Sequence, residues 1–212
     1  MKGFFEYSKQ ALLITFSMLI LCGLIYPFAV TGVAQVLFKH QANGSLIDLD
    51  GEIIGSEKVG QAFTAPEYFS GCVSSINYNV YTKEDTVPDA NGETNYGGVS
   101  SGTFNYAPSN PELVKRIETD IEKFLVMNPD VQREQIPADL MTASGSGLDP
   151  HISVDAALIQ IKRVAKESGL SVNEVKAIVN TNSESRVFGV LGENIVNVLG
   201  TNLDIYKKMN EK

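Results

Sequence analysis

The chain has 212 residues, of which 17 are Lys or Arg and 25 are Asp or Glu, so its formal net charge is −8. This acidic balance argues against nucleic acid and anionic lipid headgroups as partners. With only two cysteines, Cys22 and Cys72, the sequence has neither a disulfide framework nor the clustered ligand spacing of a metal site.

A long apolar run lies near the N-terminus. Residues 10–38, between Lys9 and Lys39, include no charged side chain. A helix needs about 20 apolar residues to cross a bilayer core, so the run predicts one transmembrane helix over residues 11–36, after a short N-terminus over residues 1–10. The alternative is a cleaved signal peptide with a small-residue site at 32–34. Apolar regions of signal peptides span about 7–15 residues, so the length favours a membrane anchor.

Flanking charges predict the orientation of this helix. Lys2 and Lys9 precede it against a single Glu6, whereas acidic residues predominate after Lys39. Positive charge favours the cytoplasmic side. We therefore expect a cytoplasmic N-terminus, a single crossing of the plasma membrane, and an extracytoplasmic domain over residues 37–212.

Inside the span, Pro27 follows Gly23 by one turn and predicts a kink or an unwound turn there. Small and polar residues such as Gln35 tend to face other helices in lipid, although Ser and Thr can also satisfy their own backbone. The span contains no ionisable residue apart from Cys22 and Tyr26, which predicts a docking helix and not an ion pathway.

The elements after the span predict an α+β domain with strands first and helices later. Residues 45–54 read as a hairpin around Asp50 and Gly51, and residues 59–63 as a short strand. Residues 70–108 form a loop-rich segment with interleaved tyrosines, which either pin the loop or offer contact surfaces. The tyrosines are Tyr78, Tyr81, Tyr96 and Tyr106.

Capping signals then predict helices. One begins at a capping box from Ser109 and ends before Pro129, and a short one follows Pro137. Another begins at Ser153 and stops at Gly169. A third is capped by Ser171, and the last is predicted from the helical spacing of residues 195–206.

The most unusual stretch is residues 142–153, which combine small residues, two glycines and one of only two histidines. Such a loop before a helix can bind an anion through backbone N–H groups, but no Walker lysine follows its glycines. The other interpretation is a tight connector with Asp149 or Ser153 as caps. A serine hydrolase is disfavoured, because a triad within one short loop rarely has the required geometry. The candidate nucleotide or partner residues are Thr142, Ser144, Gly145, Ser146, Gly147, Asp149 and His151.

Several short motifs occur in order along nearly the whole chain. The motifs are YP at 26–27, QANGS at 41–45, GQAF at 60–63, YFSG at 68–71, SNPEL at 109–113, DLMTASGSGLDPHIS at 139–153, RVA at 163–165 and GENIVNVL at 192–199. Together they resemble a known family, the C subunit of the bacterial Kdp potassium-transporting P-type ATPase, and the run at 139–153 is highly specific.

The resemblance implies a non-catalytic accessory subunit of an inward potassium pump. It also implies three partners: a channel-like potassium-conducting subunit, a P-type subunit that binds ATP, and a small single-span subunit. The C subunit is expected to raise the ATP affinity of the P-type subunit and to bind no cofactor or metal firmly itself. The alternative is a regulatory subunit that contacts ATP directly through residues 142–153. The expected partner-contact residues are Pro27, Gln35, Gln41, Asn43, Gly44 and Ser45.

Two departures from the family pattern affect these expectations. Cys72 stands where the family usually has an arginine, and Thr103 with Phe104 replaces a glycine and a serine. Partner contacts of that arginine or glycine are in doubt here. The predicted orientation also places residues 142–153 away from cytoplasmic ATP, so any effect on ATP affinity would be transmitted as a coupling free energy.

Overall fold

The computed structural model describes residues 2–89, 91–94 and 98–211. The chain divides into two compact units, Met1–Ser56 and Glu57–Lys212. The α+β class is confirmed, with a long apolar N-terminal helix, then strands, and helices toward the C-terminus.

The first unit is mainly one long helix. Its helix α1, Lys2–Ile20, leads through a π-helical turn, Leu21–Ile25, into α2, Tyr26–Leu37. Among the described residues, Gly3–Leu37 is the one helix long and apolar enough to cross a membrane. The sequence predicted a kink or an unwound turn near Gly23 and Pro27; the structure has a π-helical turn there, at Leu21–Ile25, within a continuous helix. A proline removes a helical hydrogen bond, and the wider turn accommodates the loss.

A hairpin completes the first unit. A short helix α3, Lys39–Ala42, precedes strands β1, Leu46–Leu49, and β2, Glu52–Ser56, which pair antiparallel. Asp50 and Gly51 form the turn with positive φ angles of 54° and 89°, as this Asp-Gly sequence predicts.

The second unit begins with a long irregular segment. It includes two single turns of 3-10 helix, Asn77–Asn79 and Glu84–Thr86. The predicted strand at 59–63 is wrong: residues 60–63 lie in irregular structure, where the N–H of Gly60 donates to the carbonyl of Leu148 at 2.8 Å. Tyr96 lies outside the described residues.

The helices of this unit begin and end close to the predicted positions. They are α4, Pro111–Met127; α5, Ala138–Met141; α6, Val154–Ser168; α7, Val172–Thr181; and α8, Val198–Asn210. Asn110, and not Ser109, caps α4. Ser153 caps α6, Gly169 ends it in the left-handed conformation, and Ser171 forms the capping box of α7.

Three short strands lie among these helices. The order is β3, His151–Ser153; then β5, Ile195–Asn197; then β4, Ser183–Glu184, with both pairings antiparallel. The spacing of residues 195–206 predicts a helix that includes Ile195, but the chain forms β5 first and α8 starts at Val198. In the core, α7 packs against α6 and α8, and both α6 and α8 contact the sheet. The core includes Phe69, Ile121, Phe124, Leu140, Ile152, Ala157, Ile161, Val164, Val175, Val179, Val196 and Ile205.

Candidate functional site

Residues 142–153 connect α5 to β3 and α6, and neighbouring segments hold the loop backbone in place. The hydroxyl of Ser74 donates to the carbonyl of Gly147 at 2.7 Å. The backbone N–H groups of Gly60 and Val198 donate to Leu148 and Pro150 at 2.8 and 2.9 Å. The loop is therefore a fixed element of the second unit.

Asp149 lies at the centre of the loop. The hydroxyl of Ser144 donates to its Oδ2 at 2.7 Å and the N–H of His151 to its Oδ1 at 3.0 Å. Nδ1 of His151 lies 3.6 Å from the same Oδ1. The His151 side chain, together with these two hydrogen bonds, lowers the pKa of Asp149 to about 2. Asp149 is therefore ionised throughout the physiological pH range.

A second carboxylate, Asp139 of α5, orders the other end of the loop. It accepts hydrogen bonds from the N–H of Ser153 at 2.8 Å and from its hydroxyl at 3.0 Å. The same hydroxyl accepts from the N–H of Ala156 at 3.0 Å and so caps α6. The expectation that Ser153 acts as a cap is confirmed.

The serines do not form a catalytic triad in this arrangement. Ser144 donates directly to Asp149, and Ser146 shares a 2.8 Å hydrogen bond with Ser101 while accepting from the N–H of Leu148 at 3.1 Å. A triad needs the histidine between serine and carboxylate. Among the described contacts His151 is hydrogen-bonded to neither serine, which agrees with the sequence argument against a hydrolase.

A cavity of about 280 Å³ opens beside the loop. Three carboxylates line it, those of Asp139, Asp149 and Glu193, and so do Cys72 and His151. Nε2 of His151 is buried and lacks a hydrogen-bond partner among the described residues. Of the other predicted residues, Thr142 and Ser144 also line the cavity, whereas Gly145, Ser146 and Gly147 do not. The described residues contain no group of three His, Cys, Asp or Glu side chains placed to hold a metal ion.

Cys72, where the resemblance led us to expect an arginine, is buried and lines this cavity. Its thiol donates to the carbonyl of His151 at 3.3 Å. Burial, together with the charges of Asp139 and Asp149, raises the pKa of Cys72 to about 12. The sequence left open whether Cys72 is buried or a reactive thiol. The structure shows that it is buried, and its raised pKa favours the protonated form at neutral pH.

Sequence reasoning missed a left-handed turn that supports the loop. Asn77, Tyr78 and Asn79 have φ angles of 48°, 52° and 54°. The hydroxyl of Tyr78 donates to the carbonyl of Cys72 at 2.7 Å. A Cβ at Gly60 would lie 2.7 Å from Cε1 of Tyr78, so this approach requires glycine. Tyr78 therefore pins the loop-rich segment, as its sequence context suggested, but by an unexpected backbone geometry.

A second missed feature is a set of three polar side chains, those of Gln160, Arg163 and Asn202, that bind the backbone of residues 66–70. We call these three side chains the clamp. Arg163 donates to the carbonyls of Pro66 and Tyr68, the latter at 2.8 Å. Gln160 accepts from the N–H of Ser70 at 2.9 Å and donates to its carbonyl at 3.2 Å. Asn202 makes the corresponding pair with Phe69, at 2.7 and 2.9 Å.

The clamp side chains are buried, and burial lowers the pKa of Arg163 to about 10. The sequence contains a signal for this clamp. Gln160 and Arg163 are polar residues three positions apart, and they lie among the inward-facing apolar positions of α6. The clamp joins two of the motifs that carry the family resemblance, at 68–71 and 163–165.

The predicted partner-contact residues of the first unit largely contact one another. Gln35 and Asn43 exchange hydrogen bonds of 3.2 and 3.3 Å, and Gly44 donates to the carbonyl of Gln41 at 3.1 Å. Ser45 is buried with a φ of 46°. These polar groups shape the turn between α3 and β1, whereas Pro27 is exposed in α2. A role in partner contact stays a prediction.

Comparison with known proteins gives matches along almost the whole chain. The family model described as "KdpC: K+-transporting ATPase, c chain" matches residues 8–207. The chain is 57% identical over 199 residues to the potassium-transporting ATPase KdpC subunit of Clostridioides difficile (strain 630), covering 94% of this chain and 96% of that protein. It is 49% identical over 209 residues to the KdpC subunit of Clostridium kluyveri, covering 99% and 97% of the two chains.

Proposed function

Because the chain belongs to the KdpC family, the c chains of K+-transporting ATPases, we propose that it is a non-catalytic accessory subunit of an inward potassium pump. It assembles and stabilises the complex, lies beside the channel-like potassium-conducting subunit, and raises the affinity of the P-type subunit for ATP. The observation that carries this proposal is the match over residues 8–207, which includes parts of both compact units.

The apolar helix supports a membrane role. Gly3–Leu37 spans 35 residues, or about 52 Å at 1.5 Å per residue, which exceeds a bilayer core of roughly 30 Å. In the proposed arrangement this helix docks against other helices of the pump through the face that includes Pro27 and Gln35. The bulk of the chain then lies on the extracytoplasmic side.

The charges around residues 142–153 support an indirect effect of this chain on the ATP affinity of the P-type subunit. Asp139, Asp149 and Glu193 line the adjacent cavity, and a triphosphate beside three carboxylates is electrostatically unfavourable. The N–H groups of His151 and Ser153 already donate to carboxylates within the protein. These two N–H groups are therefore not available to an anion. An effect on ATP affinity would reach the P-type subunit through contacts between subunits, as a coupling free energy.

ATPase assays of the reconstituted pump test this function. Pumps assembled with the full chain should show a lower KM for ATP than pumps that lack it, by about 5- to 150-fold if the coupling is of ordinary size. The turnover number at saturating ATP should change by a smaller factor than the KM. Equal KM values for both preparations would contradict the proposed effect on affinity.

Photoaffinity labelling separates the indirect effect from the alternative of direct nucleotide binding. Azido-ATP should label the P-type subunit of the assembled pump and leave residues 142–153 of this chain unlabelled. Labelling within that loop, competed by unmodified ATP, would favour the alternative.

A further inference from the structure

A small cavity lies between the C-terminal end of α4 and the C-terminal half of α6. Its volume is about 130 Å³. It is lined by residues 127–131 and by α6 residues that include Lys162, Arg163, Lys166 and Glu167. We call this cavity the α4–α6 pocket. It shares no lining residue with the cavity beside residues 142–153, so the candidate site does not account for it.

Arg163 brings a buried positive charge to this pocket without an acidic hydrogen-bond partner. The residue is 7% exposed. Its hydrogen bonds go to the backbone carbonyls of Pro66 and Tyr68 and to the side-chain amides of Asn128 and Gln160. All four acceptors are uncharged. Buried charges are usually paired with an opposite charge, because desolvation of a lone ion is costly. The guanidinium is therefore solvated by the protein but not neutralised.

One donor of the same guanidinium has no partner among the described residues. An arginine side chain has five N–H groups, and here Nε uses one, Nη1 uses two and Nη2 uses one. The remaining hydrogen belongs to Nη2, whose other hydrogen is donated to Oε1 of Gln160 at 2.8 Å. Because Arg163 lines the α4–α6 pocket, an anionic oxygen bound there is a suitable acceptor for this hydrogen.

Two lysines add positive charge at the same pocket. Lys162 and Lys166 lie four residues apart, and therefore on one face of α6. Both are exposed. Lys166 lies 3.5 Å from Glu167, whereas Lys162 forms no ion pair among the described residues. Like charges at this spacing repel each other and destabilise a helix. An anion bound near both ammonium groups removes that repulsion.

The negative groups at the pocket do not outweigh these cations. Asp130 and Glu167 are the two carboxylates among the lining residues, against three basic side chains. The second unit as a whole has 14 Lys and Arg against 21 Asp and Glu, so the pocket is a locally basic place in an acidic unit. The carbonyl end of α4 carries partial negative charge. There, the backbone and side-chain N–H groups of Asn128 both donate to the carbonyl of Phe124.

The volume of the pocket limits the anion to a small one. Pockets that hold drug-sized molecules measure about 300–1,000 Å³, so a nucleotide does not fit within about 130 Å³. A single phosphate group does fit. Its oxygens can accept from a guanidinium and from ammonium groups at the same time, and hydrogen bonds between arginine and phosphate are among the strong ones in proteins.

We propose that the α4–α6 pocket binds a phosphate group, which accepts the remaining hydrogen of Arg163 and is neutralised by Arg163, Lys162 and Lys166. The phosphate is either inorganic phosphate or the headgroup of a phospholipid. It supplies the counter-charge of the clamp and so stabilises the hold of the clamp on residues 66–70. The proposal does not depend on the proposed effect on ATP affinity.

Isothermal titration calorimetry of the purified full chain in detergent tests the site, with inorganic phosphate as the first probe. At constant ionic strength and pH 7, one phosphate should bind per chain. A variant with both Lys162→Gln and Lys166→Gln should bind at least tenfold more weakly, because a hydrogen bond to a charged group contributes about a factor of ten or more. This variant leaves Arg163, and with it the clamp, intact.

The matched control combines Lys176→Gln and Lys207→Gln. It removes the same charge from two exposed lysines that do not line the pocket, and it should bind phosphate as the wild type does. Absence of saturable phosphate binding to the wild type would overturn the proposal. Binding that the Lys162→Gln and Lys166→Gln variant retains unchanged would also overturn it, since that result indicates an adventitious ion only.

A second probe distinguishes the two sources of phosphate. Glycerophosphoglycerol is the water-soluble headgroup of phosphatidylglycerol. If it binds more tightly than inorganic phosphate, the site recognises a lipid headgroup. If inorganic phosphate binds at least as tightly, the site recognises free phosphate, which the acidic surface of the second unit favours over an anionic membrane.

Limited proteolysis tests whether the anion acts through the clamp. Saturating phosphate should slow chymotrypsin cleavage near Tyr68 in the wild type, because a ligand that binds only the folded clamp stabilises it by mass action. It should not slow cleavage when Lys162 and Lys166 are both replaced by Gln. Without phosphate the two proteins should be cleaved at the same rate, since exposed lysines contribute little to stability. Equal protection of both proteins by phosphate would indicate a general salt effect and refute the proposal.

Discussion

At the scale of single residues, the second unit uses carboxylates as internal hydrogen-bond acceptors. Asp149 accepts from Ser144 and His151, and Asp139 accepts twice from Ser153. Each carboxylate satisfies one backbone N–H group of β3, where the irregular loop meets the strand. Because ionised acceptors form stronger hydrogen bonds than neutral ones, the loop depends on both remaining charged.

The stability contribution of Asp149 should therefore depend on pH. Its pKa of about 2 in the folded protein lies below the ordinary value of 3.8, so the folded state binds protons less readily than the unfolded state. The contribution is fully present above about pH 4 and is lost as the pH falls toward 2. We expect Asp149→Asn to lower the unfolding free energy by about 1–2 kcal/mol at pH 7.

Denaturant unfolding of the full chain in detergent, followed by circular dichroism at pH 7 and pH 3, checks this expectation. The difference between Asp149→Asn and wild type should shrink at pH 3. Asp130→Asn, which changes an exposed carboxylate, serves as control and should show little difference at either pH. A deficit of equal size at both pH values would show that lost packing, and not charge, explains the effect.

At the scale of secondary-structure elements, α6 and α8 stabilise a segment that forms no strand. Their polar side chains Gln160, Arg163 and Asn202 bond to both N–H and C=O groups of residues 66–70. The segment thus satisfies its backbone as a strand would, but with side-chain partners. This allows Phe69, which is 1% exposed, to enter the core from an irregular region.

Removing the guanidinium of this clamp should be strongly destabilising. Arg163→Met leaves the carbonyls of Pro66 and Tyr68 and Oδ1 of Asn128 without a buried donor. Unsatisfied buried acceptors cost about 1–3 kcal/mol each when they cannot rehydrate. We expect an overall loss of about 2–4 kcal/mol and faster chymotrypsin cleavage near Tyr68.

The neighbouring Lys162→Met is the matched control for this prediction, since Lys162 is exposed on the same helix. Thermal melting and timed proteolysis of both variants provide the comparison. An Arg163→Met protein with wild-type melting and cleavage would show that the segment is held by Phe69 packing alone.

The elements that the sequence predicted well are those with local chemical signals. Ser153, Gly169 and Ser171 marked helix ends, and Asp50 with Gly51 marked a hairpin, because caps and turns depend on a few adjacent residues. Strands β3, β4 and β5 have only two or three residues each and are too short to show alternation. The clamp joins residues 90 to 133 positions apart, for which a single sequence offers no pairing signal.

The candidate site was predictable only in part. Composition singled out residues 142–153, and the cap at Ser153 followed from local pattern. The carboxylate Asp139, the neighbours Cys72 and Glu193, and the left-handed turn at Tyr78 come together through tertiary contacts. Their contribution could not be derived from spacing along the chain.

At the scale of the whole molecule, the central prediction is the orientation of the chain in the membrane. Positive charge at Lys2 and Lys9 predicts that the N-terminus lies in the cytoplasm and the second unit outside. Protease added to spheroplasts that express the chain with a C-terminal epitope should remove the epitope. An N-terminal epitope should survive until detergent opens the membrane.

Protection of the C-terminal epitope in intact spheroplasts would contradict this orientation. The same experiment on a variant with Lys2→Glu and Lys9→Glu provides a control for the charge argument. Reduced or mixed accessibility in that variant would show that flanking charge determines the topology.

The clamp on residues 66–70 also has a consequence for synthesis. Phe69 leaves the ribosome 133 residues before its partner Asn202. At translation rates of about 5–20 residues per second, that interval is on the order of 10 s. Throughout it, the backbone N–H and C=O groups of Phe69 lack the partner that they have in the folded protein, and the segment is available to chaperones, proteases or other nascent chains. The clamp on residues 66–70 is therefore completed only after α8 has been synthesised.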